Sequence, residues 1–155
     1  MTTAASTTTT DISSVAYLSA PAVSYAKAAE IVAAGIRIAD AAGVRAVITV
    51  ADPAMAMVAF GRADGATPHS AETSRRKAQT SASTRKPTAA LPAELAVALE
   101  HGTGGLLTSI KGGVPLVFDG VHVGGVGVAG GRPDQDAEIA AELLREIGAN
   151  TEVAR

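Results

Sequence analysis

The chain has no cysteine and no tryptophan, and only two tyrosines and two phenylalanines in 155 residues. Without thiols there are no disulfides, no iron–sulfur ligands and no thiolate nucleophile. Charge of one sign is also missing: the formal net charge is −2, whereas a nucleic-acid binder carries a clear basic excess. No uninterrupted apolar run reaches the roughly 18 residues of a membrane span. The opening stretch has neither a basic nor an apolar region of the secretory kind, so a cytoplasmic location is expected, with neither membrane nor nucleic acid as partner. Metal-ligating patterns are absent too. There is no H-x-x-x-H, no H-E-x-x-H and no carboxylate loop with calcium spacing.

What the chain has is Ala, Val and Gly. Side chains this small bury little apolar area each, so subunit contacts are expected to add to the stability of a domain of this length. Residues 1–14, rich in Ser and Thr, read as a tail with too few apolar groups to pack. Residues 15–150 read as one domain, and 151–155 as a flexible end.

Ser19-Ala20-Pro21 has the composition of a helix start, an oxygen-bearing cap followed by proline. The helix then runs to Ala42, with Val23, Ala26, Ala33 and Ile36 toward the core and Gly43 as its stop. Val44–Val50 is β-branched and predicts a strand. Asp52-Pro53 opens a turn into a second strand, Met55–Arg62. A helix follows from Thr67 or Ser70 to about Ser83, then a shorter one from Leu91-Pro92 to Glu100. His101 falls in a Gly-rich loop, and Leu106–Ile110 reads as an edge strand. Val114–Phe118 and Val121–Ala129 flank Asp119-Gly120, a pair suited to a tight type I′ turn. The last helix follows Pro133 and ends at Gly148. Hairpins dominate, so the expected fold is α+β: a mainly antiparallel sheet of about five strands with helices packed on it.

Gly125-Val126-Gly127-Val128-Ala129-Gly130 fits the dinucleotide fingerprint G-x-G-x-x-G. That fingerprint works inside a β-α-β unit, with an acidic residue on a following parallel strand. No strand remains after the last helix. The glycines therefore mark a strand against which another backbone or a ligand packs closely, and the start of the last helix offers amides to an anion.

Five segments in order resemble one known family: Val47-Ile48-Thr49-Val50-Ala51-Asp52; Phe60-Gly61-Arg62-Ala63-Asp64-Gly65-Ala66; Lys77-Ala78-Gln79-Thr80 with Pro87-Thr88; Gly112-Gly113-Val114-Pro115-Leu116; and Gly124 to Gly131 with Gln135-Asp136. The chain is similar to the family containing GlcG, HbpS and the C-terminal domain of PduO-type proteins. The resemblance implies a profilin-like α/β domain, homo-oligomers, and a small-ligand pocket near a subunit interface, with haem as the nominal ligand. Two departures stand out. The turn after Asp52 carries Pro53-Ala54-Met55 where the family has two glycines. Thr84-Arg85 replaces an aromatic and a glycine, which removes a stacking partner for a flat macrocycle.

Candidate site residues follow from both readings. Arg62, Lys77 and Arg85 are cations for a ligand's carboxylates, and Thr84 lies beside them. Gly125, Val126 and Gly127 would form a close wall. His69 is a candidate haem-iron ligand. In an alternative reading, an enzyme acting on a small organic acid of a catabolic pathway, His69 or Asp64 serves as acid/base. His101 and His122 are expected to face solvent.

Overall fold

The computed structural model describes residues 15–152. The Ser/Thr-rich stretch 1–14 and the last three residues, both read as flexible ends, lie outside the described residues. Four helices and four strands follow one another: α1 (Tyr25–Ala41), β1 (Val47–Ala51), β2 (Met57–Arg62), α2 (Ser70–Thr84), α3 (Ala93–Gly102), β3 (Gly113–Phe118), β4 (Val121–Ala129) and α4 (Pro133–Ile147). They form an α+β domain with a single antiparallel sheet in the order β2-β1-β4-β3.

The expected fifth strand at Leu106–Ile110 is not formed. That segment is fixed instead by side chains. The Thr108 amide donates to Thr80 Oγ1 at 2.9 Å and its hydroxyl to Glu100 at 2.6 Å. The first helix starts later than Ser19. Ser24 is the cap, its hydroxyl accepting from the Lys27 amide, while the Val23 amide donates to the Val123 carbonyl and ties the entry to β4. Its core face is consequently Ala28, Ile31, Val32, Gly35 and Ala39, with Ala26 and Ala33 exposed. α3 runs to Gly102 and contains His101, which was expected in a loop.

α1 and α4 cover one face of the sheet. Ile31, Ile48, Val50, Val126, Val128, Leu116, Ile139 and Leu143 make the continuous core there. α2 covers the other face, in an unusual way. Its buried side is Ser70, Ser74, Lys77, Ala78, Ser81 and Ala82, small or polar groups where an amphipathic helix would carry Leu or Ile. The seat is made by glycine. A Cβ on Gly127 would lie 2.0 Å from the Ser74 carbonyl oxygen, and one on Gly125 would lie 2.5 Å from the Ala78 carbonyl oxygen. Helix and strand therefore meet backbone to backbone, with a 2.7 Å hydroxyl pair, Thr49 and Ser74, bridging the layers. The fingerprint in β4 is thus packing for a helix. β4 runs antiparallel to both neighbours, and no β-α-β unit exists for a dinucleotide.

Two turns bring the sheet ends into place. Asp119 and Gly120 both take positive φ, 51° and 77°, as the type I′ turn requires. In the Asp52 turn Met55 adopts a φ of 69°, a conformation that favours glycine. Asp52 Oδ1 steadies it by accepting from the Ala54 and Ala56 amides at 2.8 and 3.0 Å.

Candidate functional site

The strand register sorts the candidate residues into two groups. Val47 sits opposite both Arg62 and Ala129, so Arg62, the start of α2 and the β4–α4 turn share one end of the sheet. Thr84 and Arg85 close the far end of α2. Sixteen residues at 1.5 Å each put His69 and Arg85 roughly 24 Å apart. The structure therefore brings Arg62, Asp64, His69 and Lys77 to one end and leaves Thr84 and Arg85 at the other.

At the first end a cleft of about 360 Å³ opens between α2 and the β4–α4 turn. Thr67, His69, Ser70, Thr73, Ile110 and Gly130 are among its lining residues, and Lys77 and Asp136 form its base. Its size falls in the lower range of small-molecule sites. His69 is exposed at the rim as the cap residue of α2, where its side chain makes no capping bond. The Thr67 and Ser70 hydroxyls bond each other at 2.7 Å beside it.

Lys77 is 1 % exposed. Its Nζ donates to Asp136 Oδ2 and to the Val128 carbonyl, each at 2.8 Å. Asp136 Oδ1 accepts from the Gly131 amide at 2.9 Å. Burial pulls the Lys77 ammonium below its ordinary pKa and pushes the Asp136 carboxyl above its own; each partner partly offsets the other's shift. Gly112, at φ of 118°, leaves the space this pair needs, since a Cβ there would stand 2.9 Å from Nζ. Lys77, expected to meet a ligand's carboxylate, is instead paired with Asp136 at the base of the cleft. Asp136 entered the sequence analysis as part of the fifth family segment; no local pattern in the sequence joins two residues 59 positions apart.

Three other expectations change. Gly125 and Gly127 face α2 rather than a ligand, and Val126 is fully buried in the α1/α4 core. The start of α4 offers few free amides, because Gly131 donates to Asp136 and Arg132 to Gln135 Oε1 at 3.0 Å. His122 is not solvent-facing. It is 8 % exposed, with Nε2 unbonded among the described residues. Burial, then the positive charge of Arg85, lowers its pKa, partly offset by a backbone bond at Gly124.

Arg62, Asp64 and Arg85 are exposed and make no ion pair among the described residues. Arg75 and Arg76 are held by Glu72, which they pull down to about 2. Larger clefts lie elsewhere. One of about 500 Å³ separates α1 from α4 and carries Glu138, Glu142 and Glu146. Another of about 540 Å³ lies at Pro87-Thr88, Gly112-Gly113 and Ala137. Neither lining contains a histidine. No helix among the described residues is long and apolar enough to cross a membrane, and no group of three metal-ligating side chains occurs among them.

The fold has clear counterparts. Crystallised PduOC in complex with heme superposes with a TM-score of 0.78 at 26% identity, over 84% of this chain and 99% of that one. HbpS superposes with a TM-score of 0.76 at 28% identity, over 84% and 94%. Protein GlcG of Escherichia coli K12 is 37% identical over 107 residues, 66% of this chain and 77% of GlcG. Residues 23–145 match the family described as haem degrading protein HbpS-like, a span that holds the sheet, the first three helices, most of α4 and the cleft, and the chain belongs to that family.

Proposed function

We propose that the protein is a homo-oligomeric small-ligand binding protein whose ligand is haem or another carboxylated cofactor, taken up at the cleft beside the start of α2. The observation that carries this reading is His69, an exposed imidazole whose side chain has no hydrogen-bond partner among the described residues, at the mouth of a cleft whose floor is fixed by a buried ion pair. Neutral imidazole is a standard haem-iron donor, so the residues present fit the group. His69 would hold the iron and Arg62, free and at the same end of the sheet, a carboxylate. Lys77 and Asp136 position the wall. When bound, haem would supply a redox-active iron. The haem complex of PduOC and membership of the HbpS-like family support the assignment. Thr84 and Arg85 lie too far along α2 to reach the same small ligand from the same subunit.

A haemin titration followed by absorbance tests the reading, with His69→Ala alongside. A saturable Soret band that shifts or vanishes in the variant is expected. A wild-type protein without a specific band overturns haem as the ligand. The second reading, an enzyme or accessory protein for a small organic acid with His69 or Asp64 as acid/base, is favoured by one observation: no aromatic side chain lines the cleft. It expects turnover of, or saturable binding to, a small carboxylic acid that His69→Ala abolishes with no haem band involved.

A further inference from the structure

The two edges of the sheet are finished differently. On β3, Val117 exchanges two backbone hydrogen bonds with Asn150, 3.2 and 3.0 Å, so the chain itself closes that edge. On β2, none of the described residues pairs with the outer side of Met57–Arg62. Edge strands are usually blunted by lysine, proline or a covering loop. β2 has no lysine or proline, and its one charge, Arg62, is at its end.

Apolar surface wraps this edge on both faces. On the α1 side, Tyr25 is 72 % exposed and flanks a groove of about 310 Å³ that also takes in Ala29, Val32 and Val58, while Met57, 55 % exposed, lies opposite Ala51, which packs on Ala78 and Ala82 of α2, and so belongs to the α2 side. On the α2 side, Phe60 is 44 % exposed. Phe60 lies opposite Thr49, whose hydroxyl bonds α2, so Phe60 shares the α2 face of the sheet yet α2 does not cover it. An occupant must therefore supply a β-strand with apolar groups on both of its faces.

We propose that β2 pairs antiparallel with β2 of a second copy, joining two four-stranded sheets into one of eight. This rests on the self-association in the proposed function and names the face that carries it. β2 matches its own requirements: it is a free strand, apolar on both sides, and tolerant of its own charge. With Phe60 opposite Phe60 of the second copy, the two Arg62 guanidinium groups are four residue steps apart along the strand. That is about 13 Å at 3.3 Å per step, beyond the roughly 8 Å over which exposed charges act at physiological salt. The seam also places Phe60 and Arg62 of both copies on one floor beside α2, so each copy contributes side chains to that surface.

Light scattering after size-exclusion chromatography, on the full chain, tests the pairing. Wild type is expected as an even multimer and Phe60→Glu at half its mass. Val97→Glu, at a more exposed apolar residue on α3, is expected to keep the wild-type mass. A short bis-maleimide supplies a second readout, because the chain has no cysteine of its own. Phe60→Cys should cross-link to a dimer and Val97→Cys should not, which decides the matter even if Phe60→Glu fails to fold. An unchanged mass for folded Phe60→Glu, or no cross-link through Cys at 60, overturns the β2 seam while leaving self-association through another face. A wild-type mass of one chain overturns both. Neither result bears on the haemin titration, which tests the ligand alone.

Discussion

Two buried polar groups lie on the side of the sheet that α2 covers, and they are treated in opposite ways. Lys77 is more deeply buried than His122 and carries a charge. It is nevertheless matched by Asp136 and the Val128 carbonyl, and Asp136 by the Gly131 amide. His122, toward the far end of α2, keeps Nε2 without a partner. The difference shows which polar group is built into the framework. A satisfied buried pair is costly to break because removing one partner strands the other charge. An unsatisfied neutral group already carries its desolvation cost, and removing it loses little.

The largest effect should come from breaking the pair. Asp136→Ala leaves the Lys77 ammonium unmatched and is expected to cost about 3–5 kcal/mol in denaturant unfolding. The double change Lys77→Met with Asp136→Leu should recover most of that loss, since apolar replacements of a buried pair are often neutral. Full additivity of the two single losses would refute the coupling. Next, Gly112→Ala crowds Nζ and the Val128 oxygen at a φ that disfavours a side chain, with an expected cost of about 1–3 kcal/mol. Its haemin affinity should fall alongside, because the cleft floor moves.

His122→Leu should change stability at neutral pH by less than about 1 kcal/mol, and its clearer signature is in pH. The folded state keeps this imidazole neutral, with its pKa below the ordinary value of 6.5. The unfolded chain therefore binds the extra proton first as pH falls, and wild-type stability declines from near 6.5 downward. The variant should flatten that slope in unfolding curves between pH 7.5 and 5; an unaltered slope would exonerate His122. The smallest effect belongs to Glu72, whose pKa is lowered to about 2 by Arg75 and Arg76. Its contribution is present above its ordinary value of 4.5 and is lost as pH falls toward 2. Because these ions are exposed, Glu72→Gln should cost under about 1 kcal/mol, and less in high salt.

The comparison also explains what could be read from the sequence. Asp119-Gly120 fixed its hairpin locally, and Pro133 and Gly148 bracketed α4. The five motif segments identified the family. The faces of α2 could not be read that way, because its buried side is Ser, Ala, Thr and Lys and carries no apolar period. Whether Gly125 and Gly127 faced a ligand or a helix depended on that missing information. His122 was expected to face solvent, but β4 is a central strand with helices on both faces of the sheet, which a local reading does not reveal. Leu106–Ile110 has strand composition, but Thr80 and Glu100 claim the Thr108 groups before a ladder can form. Lys77 and His69 were expected together and do line one cleft; that one lies at its base and the other at its rim depends on Asp136, far away along the chain.

The seat of α2 on β4 has a mechanical consequence. Helix–sheet layers usually meet through side chains that can change rotamer and let one layer slip on the other. Here glycine has removed that cushion, and two backbones bear directly on each other. Helix and strand must then move as a single stiff plate about 24 Å long, with His69 at one end and Arg85 at the other. Any displacement at the cleft reaches the far end as a tilt of the whole plate rather than fading within a soft core.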